Sequence, residues 1–134
     1  WYPIGCQIAL TRAIVDHALG GDVLALEPLL ADDTARAGDK ILALALRTLG
    51  PKRLLRRTAK AHAWLYDVGH ADAAVDDGVA RIDFTGAAHF GDPTWRVLQL
   101  FAVRGMLAGF GREITSLCAD PSGDDRFAVE VRWR

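Results

Sequence analysis

The stretch Val75-Asp76-Asp77-Gly78-Val79-Ala80-Arg81-Ile82-Asp83-Phe84-Thr85 decides the fold. Asp77-Gly78 is a strong two-residue hairpin signal. Beyond it the residues alternate, with Ala80, Ile82 and Phe84 facing one way and Arg81 and Asp83 the other. That period of two predicts a strand over Val79 to Thr85 with one buried face. The segment from Tyr66 to Val75 is extended in character and supplies the other arm.

Toward the C-terminus, Asp92-Pro93 reads as an N-cap followed by a proline at the first helical position. The helix it opens carries Leu98, Phe101, Ala102 and Gly105 on one stripe and ends near Gly111. Arg112 to Ala119 is a further predicted strand, Asp120 to Asp125 a turn, and Arg126 to Trp133 the last strand. In that strand Phe127, Val129, Val131 and Trp133 alternate with Arg126, Glu130 and Arg132.

Toward the N-terminus the period is helical. Ile4, Ile8, Ile14, Val15, Ala18 and Leu19 share a face, and Gly20-Gly21 stops that helix. A second helix presents Ile41, Leu42, Ala45, Leu46 and Leu49, and Gly50 ends it. Pro51 opens a third, which runs to about Leu65 with Leu54, Leu55, Ala59 and Ala63 inward. The expectation is an α+β fold over residues 1–134: N-terminal helices, then hairpin–helix–hairpin, forming a four-stranded antiparallel sheet covered by helices on one face.

The bulk composition narrows the function classes. Of the 134 residues 51% are hydrophobic and 25% charged, which excludes a disordered chain and is enough to build one core without a disulfide or metal staple. A net charge of −1 argues against nucleic acid spread over the whole surface. No apolar run approaches the length of a membrane span, and no basic leader with a cleavage site opens the chain, so no membrane role and a cytoplasmic location are expected. Cys6 and Cys118 then read as a reduced pair. The chain does not begin with Met, which suggests a domain cut from something longer or a processed chain.

The opening Trp1-Tyr2-Pro3-Ile4, the Leu49-Gly50 helix end and the tail closing in Val131-Arg132-Trp133 resemble an uncharacterised bacterial family best represented in myxobacteria. Its tail is similar to the α/β unit shared by haem nitric-oxide/oxygen-binding domains and 4-vinyl-reductase-type small-molecule-binding domains. The resemblance implies a ligand-binding domain in signalling. The haem-binding relatives use a Tyr-x-Ser-x-Arg clamp and a proximal His. Here Tyr66 is followed by Asp67, Val68, Gly69 and His70, so a non-haem protein is expected. Relatives of the 4-vinyl-reductase type often carry cysteines in the last two strands. Only Cys118 stands there, inside the predicted sheet, and no four-ligand metal set can be assembled, so neither metal nor cofactor is expected.

Candidate chemistry is sparse. No His-x-x-x-His pair occurs among His17, His62, His70 and His89, and no nucleophile-elbow pattern surrounds Ser116 or Ser122, so no catalytic residue is named and no enzyme is expected. His17 and His62 fall on helices as boundary or partly buried side chains, and His70 shares a strand face with Asp72. Trp95 and Phe101 on the fourth helix, Gly105 beside them, Phe84 on the sheet and His89 in the preceding loop are the ligand-pocket candidates for a small, mostly apolar molecule. The same aromatics would equally serve as ordinary core. Gly105 and Gly109 would also let the fourth helix lie close to the sheet.

Lys52, Arg53, Arg56, Arg57 and Lys60 crowd two turns of the third helix and are the candidates for binding an acidic partner. Asp32, Asp33 and Asp39 could instead balance them, while Asp76-Asp77 needs only turn chemistry. A homodimer is left open. The leading expectation is a sensory or regulatory ligand-binding domain, and the alternative a protein-interaction module using the basic third helix.

Overall fold

Two hairpins lie side by side and share their inner strands. A computed structural model describes residues 3–30, 43–121 and 123–134. Strands β1 (His70–Asp76) and β2 (Val79–Thr85) flank the Asp77-Gly78 turn as the sequence predicts, and β3 (Ile114–Asp120) and β4 (Arg126–Trp133) form the second hairpin. The sheet order is β1-β2-β4-β3, every neighbouring pair antiparallel, with Ile82 opposite both Ala73 and Val129. Gly78 has φ 75, and a Cβ there would sit 2.9 Å from the Trp133 carbonyl oxygen, so the turn and the neighbouring strand both require glycine.

The helices cover one face of this sheet. They are α1 (Ile4–Ala18), α2 (described over residues 26–30), α3 (Ala43–Leu65) and α4 (Pro93–Gly109). Within α3, Gly50 takes φ 69 and ψ 163, so the predicted boundary before Pro51 survives as a kink between two helical runs. Asp92 caps α4 by accepting from the amides of Thr94 and Trp95, and it also pairs with Arg12 of α1. On the open face of the sheet, Arg81 bonds Asp83 at 2.9 Å and Asp120 at 3.1 Å, a ladder that leaves that face hydrated.

Ala80, Ile82 and Phe84 of β2 and Phe127, Val129, Val131 and Trp133 of β4 form the inner face of the core, as the alternation predicts. Ile4 and Ile8 of α1, Leu55 and Ala59 of α3, and Trp95, Val103 and Leu107 of α4 pack onto it. A smaller cluster of Val15, Leu26, Leu98 and Phe101 joins α1, α2 and α4 away from the sheet.

Several expectations are corrected. Ile14, Ala18 and Ala63 are exposed, because α1 and α3 each turn a narrower stripe inward than the apolar count implies. Residues 66–69 bend before β1 begins, with Tyr66 making only an isolated bridge. Cys118 is exposed on the outer strand β3 and faces the uncovered side of the sheet, and Cys6 is likewise exposed and unpaired. Gly109 is exposed at the end of α4, which removes it from any close approach to the sheet. Ile41, Leu42, Asp32, Asp33, Asp39 and Ser122 lie outside the described residues, as do Trp1 and Tyr2.

Candidate functional site

Two of the residues expected to wall a pocket, Phe84 and Trp95, pack against Phe90 and Phe127. Phe84, Phe90, Trp95 and Phe127 stand with ring centroids 4.8 to 5.8 Å apart, and the Trp95 side chain is fully buried among them. Rings at these separations leave no room for a ligand among them.

A cavity of about 250 Å³ opens beside that cluster, between α1, α3, α4 and β2. Its apolar walls include Ala59 of α3, Ile82 and Phe84 of β2, and Leu98, Val103 and Met106 of α4. Two of the lining residues are small, Ala59 buried on α3 and Ala102 on α4, which is exposed although the sequence pattern put it on the inward stripe. Gln7, His62, Tyr66 and Gln99 are the polar lining residues. Three of these form one connected corner. The Tyr66 phenol hydrogen-bonds the Gln7 side chain, and the Tyr66 and His62 rings lie 4.8 Å apart.

His62 is the one buried polar or charged residue among the described residues, 4% exposed. Its Nε2 lies 3.2 Å from the Val68 carbonyl oxygen. A carbonyl can only accept, so Nε2 carries the proton and Nδ1 is the acceptor of the neutral ring. Burial pushes the His62 pKa below its ordinary value; the Val68 bond opposes that shift and nearby His70 adds to it. Burial likewise raises the Tyr66 pKa, against the bond from Gln7. The corner is therefore uncharged at neutral pH.

The cavity reaches the surface. Gln7, Leu65 and Tyr66 line both it and an adjoining apolar groove that also takes in Cys6 and Leu10. Leu65 is 58% exposed and Leu10 64%, which makes the groove the entrance with the polar corner at its throat.

Of the predicted pocket residues, only Phe84 lines this cavity. Trp95 belongs to the packed rings and Phe101 to the smaller cluster against α1 and α2. Gly105 is half-buried on α4 and is not part of the wall. His89 sits in a separate recess with Gly5, Arg12 and Asp92, where the space over Gly5 brings its Nε2 within 3.5 Å of a would-be Cβ. His70 and Asp72 are both exposed on β1, with no hydrogen bond between them. His62, expected as a boundary or partly buried side chain, is buried, and Gln7 and Tyr66 carry no sequence signal as site residues. Gln7 comes to the His62–Tyr66 corner only through tertiary packing, because α1 and the end of α3 line the same cavity.

The basic cluster divides in two. Lys52 reaches Asp76 at 3.5 Å and Asp77 at 3.8 Å, and Arg56 donates to the Val75 carbonyl at 3.0 Å. The acid that offsets these two charges is thus the hairpin turn itself, which does more than shape the chain there. Lys52 also holds Asp76 below the usual carboxylate range, after the bond from the Asp77 amide. Arg53, Arg57 and Lys60 are exposed, with no ion pair among the described residues, and Trp64, one turn further along the same stripe, is 78% exposed.

Among the described residues no group of three His, Cys, Asp or Glu side chains could hold a metal ion, and no helix is long and apolar enough to cross a membrane. In comparison with known proteins, no family model matches the chain and no curated protein matches it.

Proposed function

We propose that this protein is a non-enzymatic sensory or regulatory domain that binds a small, mostly apolar molecule in the cavity between α1, α3, α4 and β2. The observation that carries the reading is a cavity of about 250 Å³ whose walls are apolar except for Gln99 and one hydrogen-bonding corner. Small-molecule sites have this character, a concave apolar space with few polar groups that fix orientation. The amide, imidazole and phenol of the corner suit holding a ligand rather than transforming it. Native mass spectrometry of freshly purified protein, with an absorption spectrum on the same sample, tests the reading. Added mass that is lost on denaturation, and missing from an Ala102→Trp variant whose larger side chain fills the cavity, supports it. A bare mass that stays bare after incubation with excess indole overturns it.

A second reading, a module that captures an acidic protein, rests on a different surface. Arg53, Arg57, Lys60 and the exposed Trp64 form one outward stripe of α3. Cations without an ion pair among the described residues favour an anionic surface, and an exposed Trp adds contact area at little entropic cost. An Arg53→Glu, Arg57→Glu double variant should elute from polyglutamate resin at clearly lower salt than the parent. Equal retention ends this reading.

A further inference from the structure

We propose that the cavity selects uncharged ligands of one or two rings that carry a single hydrogen-bonding group, and that Gln7, His62 and Tyr66 read that group. This inference rests on the ligand-binding reading above and specifies the chemistry of the same site.

Size sets the first limit. A cavity of about 150 Å³ holds benzene, so about 250 Å³ leaves room for a ring with substituents or a second fused ring. Charge sets the second. The described lining residues are Gln7, Gln99, His62, Tyr66 and apolar side chains, with no Asp, Glu, Lys or Arg among them. An ion brought into such a space loses its hydration and meets no counter-charge among the described residues, a cost that a neutral molecule avoids. His62 does not supply the counter-charge for an anion, because burial keeps the ring neutral.

Polarity sets the third. Gln7 and Tyr66 are already joined, and the Tyr66 ring lies 4.8 Å from that of His62, so their remaining donors and acceptors converge on one region. The rest of the wall, from Ala59 through Phe84 to Met106, offers only apolar contact apart from Gln99 on α4. A hydrocarbon would leave the corner without a partner, whereas a phenol or alcohol would engage it. The corner stands where cavity and groove meet, so a ligand enters ring-first and its polar group rests at the throat.

Four matched probes separate these limits: toluene, p-cresol, p-toluate and 4-methylbenzylammonium. Each is titrated into the full chain and followed by amide and side-chain NMR at about pH 7.5, above the ordinary histidine range. The expected result is saturable p-cresol binding that shifts the Gln7 side-chain amide and the His62 and Tyr66 rings. Toluene should bind roughly tenfold more weakly, the worth of one hydrogen bond. The two ions should bind about 100-fold more weakly or worse. In Tyr66→Phe, which keeps the ring, the preference for p-cresol over toluene should shrink severalfold; Gln7→Met provides the same test through the partner residue. Equal affinity for toluene and p-cresol overturns the head-group part while the cavity stands. Binding of p-toluate or the ammonium as tight as that of p-cresol overturns the selection for neutral ligands. No binding by any probe overturns the cavity reading and this inference together.

Discussion

The Nε2 of His62 lies 3.2 Å from the carbonyl oxygen of Val68, tying the last turn of α3 to the bend that leads into β1. The bond places a titratable ring in the core at the edge of the cavity, with Tyr66 and His70 as its titratable neighbours and uncharged side chains around it.

That burial makes stability depend on pH. The folded His62 has a pKa below its ordinary 6.5, so below that value the unfolded chain takes up the proton first. Stability is present in full above about pH 6.5 and falls as pH drops from there through the folded pKa. Urea midpoints measured on either side of this window should decline toward acid in the parent and decline less in His62→Gln. Parallel profiles would count against burial as the source.

The aromatic cluster depends on a glycine outside it. Gly69 has φ 74, and a Cβ there would meet the fully buried Phe90 ring at 2.4 Å. Gly69→Ala must bear both a left-handed backbone and a displaced core ring, and should cost about 2 kcal/mol or more. Gly20→Ala is the control, since Gly20 has φ 62 with nothing near a would-be Cβ, and should lose only the backbone part, about 1 kcal/mol. Chemical denaturation of both variants measures the difference. Equal losses would show that Phe90 gives way freely.

Arg96 joins three segments. Its Nε donates to the Phe90 carbonyl at 2.7 Å, and an Nη donates to the Gly123 carbonyl at 2.7 Å, with the guanidinium 5.7 Å from the Phe127 ring centroid. Arg96→Ala should destabilise by roughly 2 kcal/mol, since two bonds from a charged donor are lost. Arg96→Lys should recover less than half, because an ammonium cannot span both carbonyls in the fixed fork of a guanidinium. A lysine variant as stable as the parent would remove the geometric argument.

On the basic helix, neighbouring arginines should behave differently. Arg56→Ala loses its bond to the Val75 carbonyl and should cost about 1 kcal/mol. Arg57→Ala, at an exposed position without an ion pair among the described residues, should change stability by less than about 0.5 kcal/mol. Thermal melts of the two variants check this, and similar losses would mean that the cluster acts as a unit.

What could be read along the chain was whatever neighbouring residues decide between themselves. The turn at Asp77-Gly78, the alternation of Ala80, Ile82 and Phe84, the Asp92 cap before Pro93 and the break at Gly50-Pro51 all stand in the structure, and together they yield the α+β fold with its four-stranded antiparallel sheet. Each depends on a local backbone preference or a side-chain period, and both are carried within a few residues. The inward face of α3 was legible at Leu54, Leu55 and Ala59, but only the tertiary structure decided that Lys52 and Arg56 meet the hairpin while Arg53 and Arg57 stay outside. It also sent Trp95 into a packed cluster and Phe101 into another, and opened the cavity beside Ala59 and Ala102. Whether an apolar helix residue fills space or borders it depends on the size of the residue opposite, which lies far away in sequence. His62 and Tyr66 meet through the last turn of α3, four residues apart, whereas Gln7 of α1 reaches the same cavity wall only through long-range packing that no local period encodes.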